Sequence, residues 1–206
     1  MIRNYHYQNM NISAFQKPKN GQTCCGDSYF LKETKDYFIC ALVDGLGSGA
    51  EAKKASERAV SAISENHNED IASLMKTCNK ELRFGRGAVL SIFKIKYDSR
   101  ELAFSGIGNV RFVFFLPNGK KVSPMPTLGF LSGKPLVPKV QTFPFENGTS
   151  FAMYTDGLAV NLGRQDFFTD ISPQEASEHV KQLVLNNQSI QDDVTFLYGK
   201  NIAAKR

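Results

Sequence analysis

The hydrophobic pattern along the chain changes its period several times. Some segments have the pattern of β-strands, with apolar residues that alternate with polar ones or form a continuous run. Between them lies a stretch where apolar residues recur every three or four positions, as in amphipathic helices. Helices are predicted over residues 50–66, 70–82 and 172–185. The third helix has the capping-box residues Ser172 and Glu175. Strands are predicted over residues 5–16, 28–31, 37–43, 88–97, 101–107, 110–116, 140–145, 149–154 and 194–198.

This order of elements predicts an α+β fold in which adjacent strands are mostly antiparallel. Residues 123–139 hold four of the eight prolines and two glycines, so they are predicted to form a loop. The chain shows no internal repeat, no low-complexity segment and no linker rich in Pro, Gly or Ser. We therefore expect residues 1–206 to form a single domain.

Composition, charge and cysteine spacing argue against several classes of protein. The longest apolar run has six residues, whereas a membrane span needs about 20, so no membrane partner is expected. The net charge of +5 is spread along the chain, which argues against nucleic-acid binding. The N-terminus lacks an apolar signal region, and the four cysteines fit neither a disulfide framework nor a paired zinc motif. We expect a cytoplasmic protein.

Four aspartates lie at the ends of apolar, strand-like segments: Asp27, Asp44, Asp156 and Asp192. A carboxylate in such a place is costly unless it is paired or bound to a metal. Gly45 follows one of them and frees the backbone to approach a ligand. Several such carboxylates in one place would form an all-oxygen site suited to Mg²⁺ or Mn²⁺. On the residues alone, ordinary Asp-Gly turns remain an equal alternative.

Residues 44–50 also suggest a different chemistry. Gly45, Gly47 and Ala50 match the G-x-G-x-x-A pattern of dinucleotide-binding proteins. Asp44 would place a negative charge beside the pyrophosphate, and no parallel strand with a terminal acidic residue follows at the required distance.

The three histidines lie in polar sequence and form no zinc motif, and no serine lies in a G-x-S-x-G pattern.

Six short motifs, taken together, are more specific. The set resembles the metal-dependent protein phosphatase 2C (PP2C) family, and its members occur in that family's order between residues 24 and 198. They are Gly26-Asp27, Val43-Asp44-Gly45-Leu46-Gly47-Ser48-Gly49, Arg86-Gly87-Ala88, Gly106-Ile107-Gly108-Asn109-Val110-Arg111, Thr155-Asp156-Gly157 and Asp192-Asp193-Val194-Thr195.

The resemblance implies a four-layer α-β-β-α sandwich of two mainly antiparallel sheets, with two Mn²⁺ or Mg²⁺ ions in a cleft at one edge. Asp44 would bridge the ions and the Gly45 carbonyl would bind one of them. Asp156 and Asp192 would complete the site of the other, and Asp27 would hold the second ion directly or through water. The four aspartates are thereby the candidate catalytic residues.

Three further features follow from the same comparison. Gly26 replaces an acidic residue that many relatives carry, so the second ion is expected to bind weakly. Asn109 and Arg111 are expected to be structural, with Arg111 bracing the carboxylates. Lys17 and Lys19 are the two candidates for the basic residue that grips phosphate in many members, and the sequence does not choose between them.

The implied activity is hydrolysis of phosphoserine or phosphothreonine on proteins by a metal-bridging water. Within the family, the chain is most similar to small phosphatases of the stressosome. Its implied substrates are the phosphorylated scaffold and antagonist proteins of the anti-sigma-antagonist type, so it would act as negative feedback on the general-stress sigma factor pathway. The alternatives are a phosphatase of a phosphorylated anti-anti-sigma factor and a non-catalytic stressosome-binding module. We expect a monomer.

Overall fold

The computed structural model describes residues 1–158, 171–187 and 190–202. The described helices are α1 (Gly49–Asn66), α2 (Ile71–Glu81) and α3 (Pro173–Asn186). The strands are β1 (Ile2–His6), β2 (Met10–Lys17), β3 (Asp27–Glu33), β4 (Tyr37–Gly45), β5 (Ala88–Lys96), β6 (Glu101–Ile107), β7 (Arg111–Phe115), β8 (Lys121–Val122), β9 (Gln141–Pro144), β10 (Ser150–Tyr154) and β11 (Val194–Asn201). No described helix is long and apolar enough to cross a membrane.

The described strands form two antiparallel sheets that face each other. One has the order β1-β2-β11-β10-β7-β8 and the other the order β3-β4-β5-β6-β9. Helices α1 and α2 cover the outer face of the five-stranded sheet, and α3 covers the outer face of the six-stranded sheet. This arrangement is the predicted α+β sandwich of four layers, α-β-β-α.

Strand β4 shows how the sequence pattern sorts residues between the layers. Its odd-numbered residues from Ile39 to Val43 pack against α1 and α2, whereas its even-numbered residues from Phe38 to Leu42 lie between the two sheets. The alternation follows from the two-residue period of a strand. Asp44 is the next even-numbered residue, so it lies on the inner face where the apolar core ends.

Aromatic rings fill the layer between the sheets. The ring centroid of Phe93 lies 4.7 Å from that of Phe112 and 4.8 Å from that of Phe151. These residues come from both sheets, and all three are almost completely buried. The core fixes the distance between the sheets, and with it the separation of any groups that the two sheets place at their common edge.

The helix predictions are confirmed to within a residue. Ser172 and Glu175 form both hydrogen bonds of the capping box. The predicted strand 5–16 is wrong as a single element, because the chain turns at residues 7–9 and separates β1 from β2. The two-residue strand β8 was not predicted.

The dinucleotide-binding alternative is excluded, because α1 leads into α2 and then into antiparallel β5, so this segment forms no βαβ unit.

Candidate active site

The four predicted aspartates come together at one edge of the sandwich. Asp27 and Asp44 are paired directly across β3 and β4, so both side chains lie on the inner face of their sheet. Asp156 follows β10 and Asp192 precedes β11, and these antiparallel neighbours belong to the other sheet. All four line one cavity of about 790 Å³.

Asp27 is the most enclosed of the four, with 1% of its surface exposed. Its Oδ2 accepts hydrogen bonds from the hydroxyls of Thr195 at 2.7 Å and Thr155 at 3.0 Å. Both threonines lie in or beside strands of the opposite sheet, so Asp27 joins the two sheets. Its Oδ1 is buried without a hydrogen-bond partner among the described residues. A buried carboxylate oxygen without a donor is the kind of group that a bound cation satisfies.

The two hydroxyls that donate to Asp27 also accept hydrogen bonds from other groups. The Thr155 hydroxyl accepts from the backbone N–H of Thr195 at 3.0 Å. The Thr195 hydroxyl accepts from Gln16 Nε2 at 3.1 Å, and the same amide donates to the backbone carbonyl of Asp27. Because each hydroxyl receives a donor elsewhere, its own proton is directed at the Asp27 carboxylate.

The carboxylates disfavour one another's charge. Burial, and to a lesser extent repulsion from Asp193 and Asp156, raises the pKa of Asp27 to about 7. Burial and repulsion from Asp27 and Asp156 raise the pKa of Asp44 to about 8. The pKa of Asp156 is also raised, first by loss of hydration and then by Asp192. A divalent cation would remove this repulsion, so the cluster fits a hard metal ion.

No group of three or more His, Cys, Asp or Glu side chains in the described part of the chain lies close enough to form a metal site by itself. The two pairs of aspartates come from different sheets. Mg²⁺ keeps several of its waters in proteins, so water and backbone oxygen would complete the coordination of an ion held at these carboxylates.

Asp156 is oriented by Asn109. The Asn109 side chain donates from Nδ2 to Asp156 Oδ2 at 2.6 Å. Arg111 lies in the cavity wall, and its charge partly offsets the raised pKa of Asp156. The hydrogen bond gives Asn109 a specific contact that the motif alone did not reveal, and the bracing role of Arg111 stays a prediction.

Asp193 has a role that the sequence analysis did not assign. It is buried, and it accepts from the backbone N–H groups of Lys19 at 2.8 Å and Gly26 at 3.0 Å. A Cβ atom on Gly26 would lie 2.9 Å from Asp193 Oδ2 and 3.0 Å from the Cβ of Ala52. A larger residue at position 26 would require Asp193 or Ala52 to shift, so the packing favours glycine here.

The two candidate lysines differ in position. Lys19 lines the cavity, with its Nζ 3.7 Å from Asp192 Oδ1. Lys17 Nζ donates to Asn20 Oδ1 at 3.1 Å, and Lys17 is not among the described residues of the cavity wall. Only one of the two therefore faces the carboxylates.

Gly45 is fixed by the close packing of β4 on α1. A Cβ atom at this position would lie 1.9 Å from the backbone oxygen of Ala52, so no other residue fits. Gly47 and Gly49 follow with φ angles of +99° and +72°, which turn the chain sharply into α1. The glycines thus place the first turn of α1 beside Asp44.

The described cavity wall has one hydroxyl side chain, that of Ser48, and no described hydrogen bond joins it to a base. It contains no cysteine and no histidine. Cys25 lies two residues before Asp27 in the chain. Burial raises the pKa of its thiol far above neutrality, so it stays protonated. His67 is hydrogen-bonded to Tyr37 and Lys32 elsewhere. The arrangement suits direct attack by water rather than a covalent intermediate on the protein.

Known proteins are similar to this chain in sequence. Residues 34–200 match the family model "Stage II sporulation protein E (SpoIIE)". Phosphoserine phosphatase RsbX of Bacillus subtilis (strain 168) is 37% identical over 201 residues, which cover 97% of this chain and 99% of that protein.

Two solved structures extend the comparison. A crystal structure of RsbX in complex with magnesium aligns with a TM-score of 0.89 and 34% identity over 98% of this chain and all of that one. The catalytic domain of the serine/threonine phosphatase PstP with two manganese ions has a TM-score of 0.72 over 95% of this chain and 99% of that one. At 13% identity it shows the common fold alone.

The matched motifs, the two-sheet fold and the close relationship to a phosphoserine phosphatase agree with one another. Relatives that share this fold bind magnesium or manganese. The chain belongs to the SpoIIE family of PP2C-type protein phosphatases.

Proposed function

We propose that this protein is a metal-dependent phosphatase that hydrolyses phosphoserine or phosphothreonine on stressosome proteins. The observation that carries the proposal is the convergence of four aspartates from two sheets on one cavity, with Asp27 Oδ1 buried and without a donor. The similarity to RsbX supports the substrate class. One catalytic domain spanning residues 1–206, acting as a cytoplasmic monomer, accounts for the activity.

The proposed ligands follow the sequence motifs. Asp44 would be a ligand of both Mn²⁺ or Mg²⁺ ions, the Gly45 carbonyl would be a ligand of one, and Asp156 and Asp192 would complete the site of the other. Asp27 holds the second ion directly or through water, and Gly26 leaves that ion with fewer protein ligands. Bound ions of this type lower the pKa of water toward neutrality and neutralise charge on phosphoryl oxygens.

The chain's own residues orient and tune this site. Asn109 fixes the rotation of the Asp156 carboxylate through its 2.6 Å hydrogen bond. The two threonine hydroxyls leave Asp27 with only Oδ1 available. Lys19 is the described cation nearest Asp192, and we assign it the role of attracting the dianionic phosphoester into the cavity.

The proposed substrates are the phosphorylated scaffold and antagonist proteins of the stressosome. Removing their phosphate would return the general-stress sigma factor pathway to its resting state. The retention of all four aspartates favours an enzyme over a non-catalytic binding module.

The test is phosphate release from p-nitrophenyl phosphate after chelation, with Mn²⁺ and then Mg²⁺ added back. We expect activity to return with metal in the wild-type protein and to stay absent in Asp44→Asn. An unchanged rate in that variant would show the site assignment to be wrong. Phosphorylated anti-anti-sigma factor, assayed beside phosphorylated scaffold protein, distinguishes the two substrate classes.

A further inference from the structure

Three apolar side chains at the mouth of the cavity are exposed to water. They are Met125, Leu128 and Phe130, which are 69%, 92% and 48% exposed. All three line the same cavity as the four aspartates. Single exposed apolar residues are ordinary, but three together beside a functional cavity are typical of a contact surface. We call these three residues the apolar rim.

The backbone beneath the apolar rim is fixed to the five-stranded sheet. Thr127 donates to the carbonyl of Gly106 and accepts from the N–H of Gly108, both at 2.8 Å. Leu131 is fully buried and exchanges two hydrogen bonds with Ala88, at 2.8 and 3.1 Å. Leu128 and Phe130 therefore lie between two anchored points of the chain, and Met125 lies two residues before the first of them.

A side chain of α2 holds the segment that follows. Asn79 Oδ1 accepts from the backbone N–H groups of Ser132 at 3.0 Å and Gly133 at 2.9 Å. Its Nδ2 donates to the carbonyl of Lys134 at 2.7 Å. Because the loop is held from both ends, the apolar rim cannot fold inward without breaking these bonds. An anchored surface of this kind binds a partner at a lower cost in conformational entropy.

We propose that the apolar rim docks the phosphoprotein substrate by contacting an apolar side chain next to its phosphorylated residue. This inference rests on the proposed function, because it takes the phosphoester to be bound at the aspartates. The rim and the aspartates share one cavity, so a protein segment bound at Asp44 can contact the rim. The rim carries no charge, so it attracts neighbouring residues without competing for the dianionic phosphate.

The occupant is a protein rather than a small ester. A small phosphomonoester is held chiefly by contacts to its phosphate, and it covers at most a small part of the rim. A phosphorylated protein brings neighbouring side chains, and burying them against Leu128 contributes to affinity. The rim would therefore lower KM for the phosphoprotein while leaving the hydrolytic step itself unchanged.

The test compares two substrates and two matched variants. Leu128→Ser removes the most exposed rim residue, and Val137→Ser changes a residue of the same loop that is 87% exposed but not in the described cavity wall. The substrates are a phosphorylated stressosome scaffold protein and p-nitrophenyl phosphate. For Leu128→Ser we expect kcat/KM on the phosphoprotein to fall about tenfold, mainly through KM, with activity on the small ester retained. Val137→Ser keeps both activities.

Three results would overturn the proposal. Equal losses on both substrates would mean that Leu128 supports the active site rather than docking. Undiminished activity of Leu128→Ser on the phosphoprotein would mean that the rim is not used. A wild-type dimer in light scattering that Leu128→Ser converts to a monomer would assign the rim to a second copy of the chain. A wild-type protein inactive on both substrates would instead contradict the proposed function, and the docking inference with it.

Discussion

Replacing Asp44 by Asn should abolish activity and yet stabilise the metal-free protein at neutral and alkaline pH. Asp44 lies on the inner face of β4, opposite Asp27, where burial and the neighbouring carboxylates disfavour its charge. Asn has nearly the same shape but never ionises. The substitution thus removes the repulsion without leaving a cavity, whereas it also removes the proposed bridging ligand.

The pKa values give the size and the direction of the expected change in the free energy of unfolding. The pKa of Asp44 is raised from 3.8 to about 8 in the folded protein. Between about pH 4 and about pH 8 the folded state keeps a proton that the unfolded state releases, so stability falls as pH rises through this window. At about 1.4 kcal/mol per pH unit, the interval from 3.8 to about 8 sets an upper bound of about 6 kcal/mol at pH 8. A buried Asn side chain also loses hydration, so only part of this is recovered, and we expect Asp44→Asn to gain about 2 kcal/mol at pH 8.

The assay is urea unfolding in a chelator, from pH 5 to pH 9. The difference in unfolding free energy between wild type and Asp44→Asn should be smallest at pH 5 and should widen as the pH rises toward 8. Asp36→Asn, at an exposed position, is the control and should follow wild type within about 0.5 kcal/mol. The reasoning is refuted if Asp44→Asn is no more stable than wild type at pH 8. Adding Mn²⁺ should stabilise wild type much more than the variant.

Two further substitutions test the residues that hold the aspartates. Asn109→Ala removes the 2.6 Å donor to Asp156 and should reduce activity or metal affinity about tenfold or more, with little change in stability. If the dependence of activity on metal concentration were unchanged, Asn109 would not be positioning Asp156. Thr195→Val removes the 2.7 Å donor to Asp27 and should cost about 1–3 kcal/mol in urea unfolding at pH 8. Thr195→Ser keeps the hydroxyl and should restore most of that loss, and equal losses in both variants would assign the effect to packing.

The sequence predicted the aspartates of the cavity because each lies at one end of a recognisable apolar segment. The run before Asp44 alternates between the inner core and the helices, and this local pattern already places the carboxylate at an edge. The antiparallel order of elements also followed from local periodicity. A buried strand is a local property, so its end is visible without knowledge of the fold.

The contacts that tune the site are not local. Thr155 and Thr195 lie 128 and 168 residues from Asp27 along the chain, and only the packing of the two sheets brings their hydroxyls to it. Asp193 looked like a companion of Asp192, but its hydrogen bonds to the backbone of Lys19 and Gly26 depend on a loop from the other end of the sequence. The turn between β1 and β2 was missed because residues 5–16 carry a mixed pattern that gives no clear break.

The most direct test of the central claim is phosphate release from a phosphorylated stressosome scaffold protein, measured as Mn²⁺ is titrated into chelated enzyme. Wild type and Asp156→Asn should be assayed side by side, with circular dichroism confirming that both are folded. We predict no release without metal, a saturable rise in the wild type, and loss of that rise in the variant. Release that needs no metal, or that survives in Asp156→Asn with an unchanged metal dependence, would contradict a catalytic role for this carboxylate cluster.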